Sequence, residues 1–102
     1  MRVFVIPPKS APHPHDTEGL LRDLQHLVGG YIETSAPVQL RQNGITLLCN
    51  EEGLLKQLPA NQNLFPFFYV GQVVAVGVRG EEFVSLTHNQ IEFLKDWLYS
   101  LS

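Results

Sequence analysis

The chain has 102 residues, a formal net charge of -3 and 44% hydrophobic residues. That length fits one domain, residues 1–102, built on one core, and the composition is that of a folded chain rather than a disordered one. The seven Lys and Arg residues are scattered, which excludes the clustered basic face that a nucleic-acid polymer needs. The single cysteine, Cys49, excludes an internal disulfide and a zinc-binding pattern.

Arg2 to Ile6 (RVFVI) is rich in β-formers and reads as a first strand, stopped by Pro7-Pro8. The opening MRVFVIPPKS has too short an apolar run for a signal peptide or a membrane span, so a cytoplasmic protein with no membrane partner is expected. Lys9 to His15 reads as a loop. His13 and His15 place two imidazoles close together, but with no third ligand beside them the simpler reading is a solvated loop, and no metal or other cofactor is expected. Asp16 or Thr17 offers a helix cap. Leu20, Leu21, Leu24, Leu27 and Val28 then recur as one apolar stripe, and Gly29-Gly30 supplies the stop.

Tyr31 to Leu40 reads as a strand with an edge or bulge at Pro37, and Asn43-Gly44 as a tight turn into a second strand, Ile45 to Cys49. Asn50 to Gly53 (NEEG) is a turn by composition. Leu54 to Leu64 reads as a loop with about one turn of helix, and Phe65 to Tyr69 is an aromatic segment broken by Pro66 that suits either the core or a subunit interface. Val70 to Val78 and Glu81 to Leu86 form a hairpin across Arg79-Gly80. Thr87 and Gln90 fit a capping box ahead of a last helix with Ile91, Leu94, Leu98 and Leu101 on one stripe. The predicted class is α+β, in the order β-α-β-β-loop-β-β-α. Its antiparallel or mixed sheet of about five strands is covered by two helices.

No Gly-rich phosphate loop, nucleophile elbow or zinc signature is present. Cys49 lies in an apolar strand, where cysteine acts as a small buried hydrophobe rather than a nucleophile. Glu51 and Glu52 are adjacent and need not converge, so a solvated acidic turn is the simpler reading than acid/base catalysis, with Glu33 a third member if the hairpin brings it near Asn50. The residues therefore predict a protein that is not an enzyme.

Taken in order, LQHLVGGYIE (24–33), LLCNEEG (47–53), LPAN (58–61), VGQVVAVG (70–77) and SLTHNQIEFL (85–94) resemble a small family, a domain of unknown function found in bacteriophages, plasmids and the bacteria that carry them. The resemblance implies a compact accessory protein of a mobile element. It directs attention to Tyr31 and Glu33 in the first motif, Asn50, Glu51 and Glu52 in the second, and Asn61 in the third. The expected function is sequestration of a small, nucleotide-derived host signal by a homo-oligomer. In that reading Tyr31 stacks on a base, Asn50 and Asn61 read its edge, Glu33, Glu51 and Glu52 accept from ribose hydroxyls, and Arg41 or Arg79 holds phosphate. The alternative is an inhibitor or regulator that binds a host protein through the aromatic segment and the acidic turn. A small nucleotide hydrolase working through Glu51 or Glu52 ranks third.

Overall fold

A computed structural model describes residues 1–102. The strands are β1 (Arg2–Ile6), β2 (His13–Asp16), β3 (Ile32–Ser35), β4 (Ile45–Asn50), β5 (Val73–Arg79) and β6 (Glu82–Val84). The helices are α1 (Leu21–Val28), α2 (Val38–Arg41) and α3 (His88–Leu101), with a 3-10 turn at Gln62–Leu64. The sheet runs β2-β1-β5-β4-β3, every pairing is antiparallel, and β6 pairs with β5 in line with β1. The α+β class and the strand count match the expectation.

The central strands are apolar on both faces because both faces are covered. Successive side chains of a strand point to opposite sides. Val3, Val5, Leu48, Val74 and Val76 thus form one cluster with Leu24 and Val28 of α1. Phe4, Ile6, Ile45, Leu47, Val73 and Ala75 form the other, with Ile91, Leu94, Trp97 and Leu98 of α3. Phe67 joins this second core, its ring centroid 5.6 Å from that of Trp97.

Several local expectations change. His13–Asp16 is an edge strand rather than a loop, paired with β1 and pinned by the Arg2–Asp16 ion pair at 3.0 Å. Thr17 is tied to Met1, its N–H donating to the Met1 carbonyl at 2.9 Å, so Asp16 and Thr17 belong to the sheet edge and do not cap a helix. Helix α1 starts after Leu20 instead, where the Asp23 carboxylate accepts from the Leu20 N–H at 3.2 Å. Leu20 and Leu21 are exposed, and Leu24 and Val28 carry the packing. The strand expected over Tyr31 to Leu40 ends at Ser35, and Pro37 starts α2. Asn43-Gly44 therefore turns from α2 into β4, with Gly44 at φ 70°, rather than closing a two-residue hairpin. The capping box is formed: Thr87 Oγ1 accepts from Gln90 N at 3.1 Å and Gln90 Oε1 from Thr87 N at 2.9 Å.

Candidate binding cleft

Helix α3 does not reach the β3 side of its face of the sheet, and a cleft of about 480 Å³ opens there. Its floor is Glu33, Ser35 and Cys49, neighbours because β3 and β4 pair Glu33 with Cys49 and Ser35 with Leu47. One wall is the turn after β4, which brings Glu51, Leu54 and Leu55; the other is Phe68, Tyr69 and Val70, ahead of β5. The volume is within the range of about 300–1,000 Å³ typical of ligand pockets.

Local chemistry explains the walls. Asn50 Oδ1 accepts from the Glu52 N–H at 2.8 Å, and Gly53 N–H donates to the Asn50 carbonyl at 3.1 Å, so the NEEG segment closes on itself. Gly53 is required by a close approach, since a Cβ there would lie 2.6 Å from Val70 Cγ2. The second wall is held by a short ladder: Asn61 N–H donates to the Tyr69 carbonyl at 2.8 Å and Gly71 N–H to the Pro59 carbonyl at 2.7 Å. Beneath it, Asn61 Nδ2 donates to the carbonyls of Ile6 at 2.9 Å and Gly71 at 3.0 Å, and its Oδ1 accepts from Asn63 N at 3.1 Å. Tyr69 Oη and Ser35 Oγ, 3.0 Å apart, bridge wall and floor.

The cleft is acidic and apolar together. The ion pairs of the molecule are Arg2–Asp16 and Lys95–Glu92, so Glu33, Glu51 and Glu52 have no basic partner. Leu54, Leu55 and Phe68 are 69%, 83% and 71% exposed, a large apolar area for three neighbouring side chains. Burial pushes the Cys49 thiol up from its ordinary value, and the Glu33 carboxylate adds to the rise, so Cys49 is held as the thiol. Burial also raises the Tyr69 phenol, opposed in part by its hydrogen bond with Ser35.

Of the residues singled out in the sequence, the fold brings Glu33, Asn50 and Glu51 to this cleft. Asn50 is buried, with Nδ2 3.3 Å from the Val28 carbonyl at the end of α1, so its hydrogen-bonding groups are taken up by the backbone. Asn61 is likewise consumed, as the clamp beneath the wall. Tyr31 is 66% exposed at the start of β3, its carbonyl accepting from Glu51 N–H at 2.8 Å, and its side chain does not line the cleft. Glu52 is exposed on the turn and also lies outside the cleft lining. Arg41 lines a separate groove of about 630 Å³ with Thr34, Thr46, Val78 and Phe83. Leu54 and Leu55 escaped the sequence reading, although two leucines directly after a polar turn were a visible signal. No three of the His, Cys, Asp and Glu residues converge as a metal site would require.

Fold and site together define a small α+β protein with an acidic, apolar-walled surface cleft. The chain belongs to the family described as a domain of unknown function (DUF3846), whose model matches residues 1–99. No curated protein and no solved structure matches it. No helix is long and apolar enough to cross a membrane.

Proposed function

We propose that the chain is a binding module that docks a host protein through this cleft, taking a segment of the partner in which a basic side chain stands beside an apolar one. The observation that carries the reading is the pairing of unpartnered Glu33 and Glu51 with the exposed Leu54, Leu55 and Phe68. Carboxylates beside apolar walls suit Arg or Lys flanked by Leu, Phe or Trp, the residue types that anchor protein interfaces. They repel phosphate, and Arg41, one of the two arginines expected to hold phosphate, lies in the other groove. In the setting the resemblance implies, a mobile-element protein in the bacterial cytoplasm, the module acts as an inhibitor or regulator of a host protein.

Sequestration of a nucleotide-derived signal is the second reading, favoured by one observation. The groove at Arg41 combines that cation with the hydroxyls of Thr34, Ser35 and Thr46 and the exposed ring of Phe83. Selection from a random-peptide display library, run beside capture and release of cyclic and linear nucleotides read by mass spectrometry, separates the two. Docking predicts peptides enriched in Arg or Lys next to Leu, Phe or Trp. Their binding should weaken about tenfold in Glu33→Gln/Glu51→Gln and also fall in Phe68→Ser. A nucleotide retained by the wild type and released intact, lost in Arg41→Ala and indifferent to the glutamine pair, sinks the first reading and establishes the second.

A further inference from the structure

The two edges of the sheet are unlike. Edge strand β2 carries Pro14, which has no N–H to offer, and is lined by His13, His15 and the ion-paired Asp16. Such features keep an edge from pairing with another chain. Edge strand β3 carries no proline, no lysine and no bulge. Its odd-numbered residues face β4, since Glu51 N–H donates to the Tyr31 carbonyl at 2.8 Å and the side chains of Cys49 and Thr46 reach the carbonyls of Glu33 and Ser35. In an antiparallel ladder the alternate residues turn their groups the other way. The N–H and C=O of Ile32 and Thr34 therefore point off the edge and meet no partner within the chain.

We propose that β3 pairs antiparallel with β3 of a second copy, with Thr34 opposite Thr34 on a two-fold axis perpendicular to the sheet. The register follows from the residues. Thr34 against itself gives one bonded pair and about two backbone hydrogen bonds, and the outward groups of Ile32 are carried to the end of the second copy's β3, beside Ala36. The same register sets threonine against threonine on one face, a favourable cross-strand pair. On the other face Glu33 meets the Ser35 hydroxyl of the second copy. Pairing Ile32 with Thr34 would instead put Glu33 directly against Glu33, and like charges placed opposite one another are unfavourable. Centring on Ile32 would need the Gly30 N–H, which is committed to the Gln25 carbonyl at 3.0 Å. Exposed Tyr31, 66% accessible, and Val38, 49% accessible, flank the strand and gain cover: Tyr31 comes to rest against Pro37 of the second copy.

Because the axis is perpendicular to the sheet, the clefts of the two copies open on the same side and adjoin. Each rim then includes Ser35 and Glu33 of the other copy, so the dimer presents one long acidic trough with apolar walls at both ends. The inference deepens the docking reading by making the partner's segment extended and longer than one cleft.

Sedimentation equilibrium across a concentration series, with circular dichroism as the check on folding, tests it. The wild type should be a dimer. Thr34→Pro should be a folded monomer, because the N–H it removes serves no bond within the chain. Should that variant unfold, cross-linking decides. In a Cys49→Ala background, Thr34→Cys should form an intersubunit disulfide on oxidation, since facing residues of a bonded pair lie about 5.5 Å apart, while Ile32→Cys should not. A wild type that stays monomeric into the millimolar range, a dimer untouched by a folded Thr34→Pro, or Cys at 32 cross-linking as readily as Cys at 34 overturns the proposal. Mass and cross-linking read the dimer alone and peptide selection reads the cleft alone, so either can fail without the other.

Discussion

Asn61 shows why a polar residue in a motif is ambiguous until its burial is known. At 3% exposure its amide joins three segments, through the carbonyls of Ile6 and Gly71 and the N–H of Asn63. Asn61→Ala leaves two buried carbonyls without their donor and should cost about 2–4 kcal/mol in urea unfolding. A much smaller loss would mean that water enters and replaces the amide. Cys49 gives a second prediction at this scale. Its raised pKa keeps the thiolate fraction low, so alkylation by iodoacetamide at pH 8 should be slower than for an exposed cysteine peptide. Burial is the larger cause and the Glu33 charge the smaller, so Glu33→Gln should lower the pKa and speed the reaction only in part. No change on that substitution would show that the carboxylate does not act on the sulfur. The resemblance drew attention to Asn50 and Asn61 but not to what their amides do. The same amide that reads a ligand edge also satisfies a buried turn, and the outcome rests on partners far apart in sequence.

Elements whose signals are local could be read from the sequence. Helix α3 begins where Thr87 and Gln90 place it, because both halves of a capping box lie within one turn. Thr87→Ala should cost about 1 kcal/mol, seen as a lower urea midpoint at unchanged slope. A neutral result would mean that Leu94 and Trp97 packing alone fixes the helix start. Elements whose signals are distant could not be read. Asp16 and Thr17 have the chemistry of a cap, but Arg2 and Met1 hold them in the sheet edge. Pro37 ended β3 and opened α2, and both uses of proline are permitted by its fixed φ and missing N–H. The aromatic segment divided for the same reason: Phe67 found Trp97, while Phe65 and Phe68 found no partner in the chain and stay exposed.

At the scale of the molecule, the class followed from counting amphipathic elements that need a surface to cover, whereas the strand order did not. The cleft was half visible. NEEG and the aromatic run each stood out, and the pairing of β3 with β4 was legible from the turn signal at Asn43-Gly44, but their meeting also depends on the Pro59–Gly71 ladder, which has no sequence signal of its own. One feature of the sheet also bears on how the protein is made. Strand β5 sits at the centre, between β1 and β4, yet it comes after both in the chain. During synthesis the residues of β1–β2 and of β3–β4 are made before the strand that joins them. Residues 73–79 then arrive as the wedge that unites them, and β6 follows to fill the gap beyond the first strand, where Leu86 N–H meets the Arg2 carbonyl at 2.9 Å. Loop-closure entropy must be overcome before such distant pairings form, so the apolar strands made earlier stay exposed until residues 73–79 are free to pair, and that interval is when the chain most needs a chaperone.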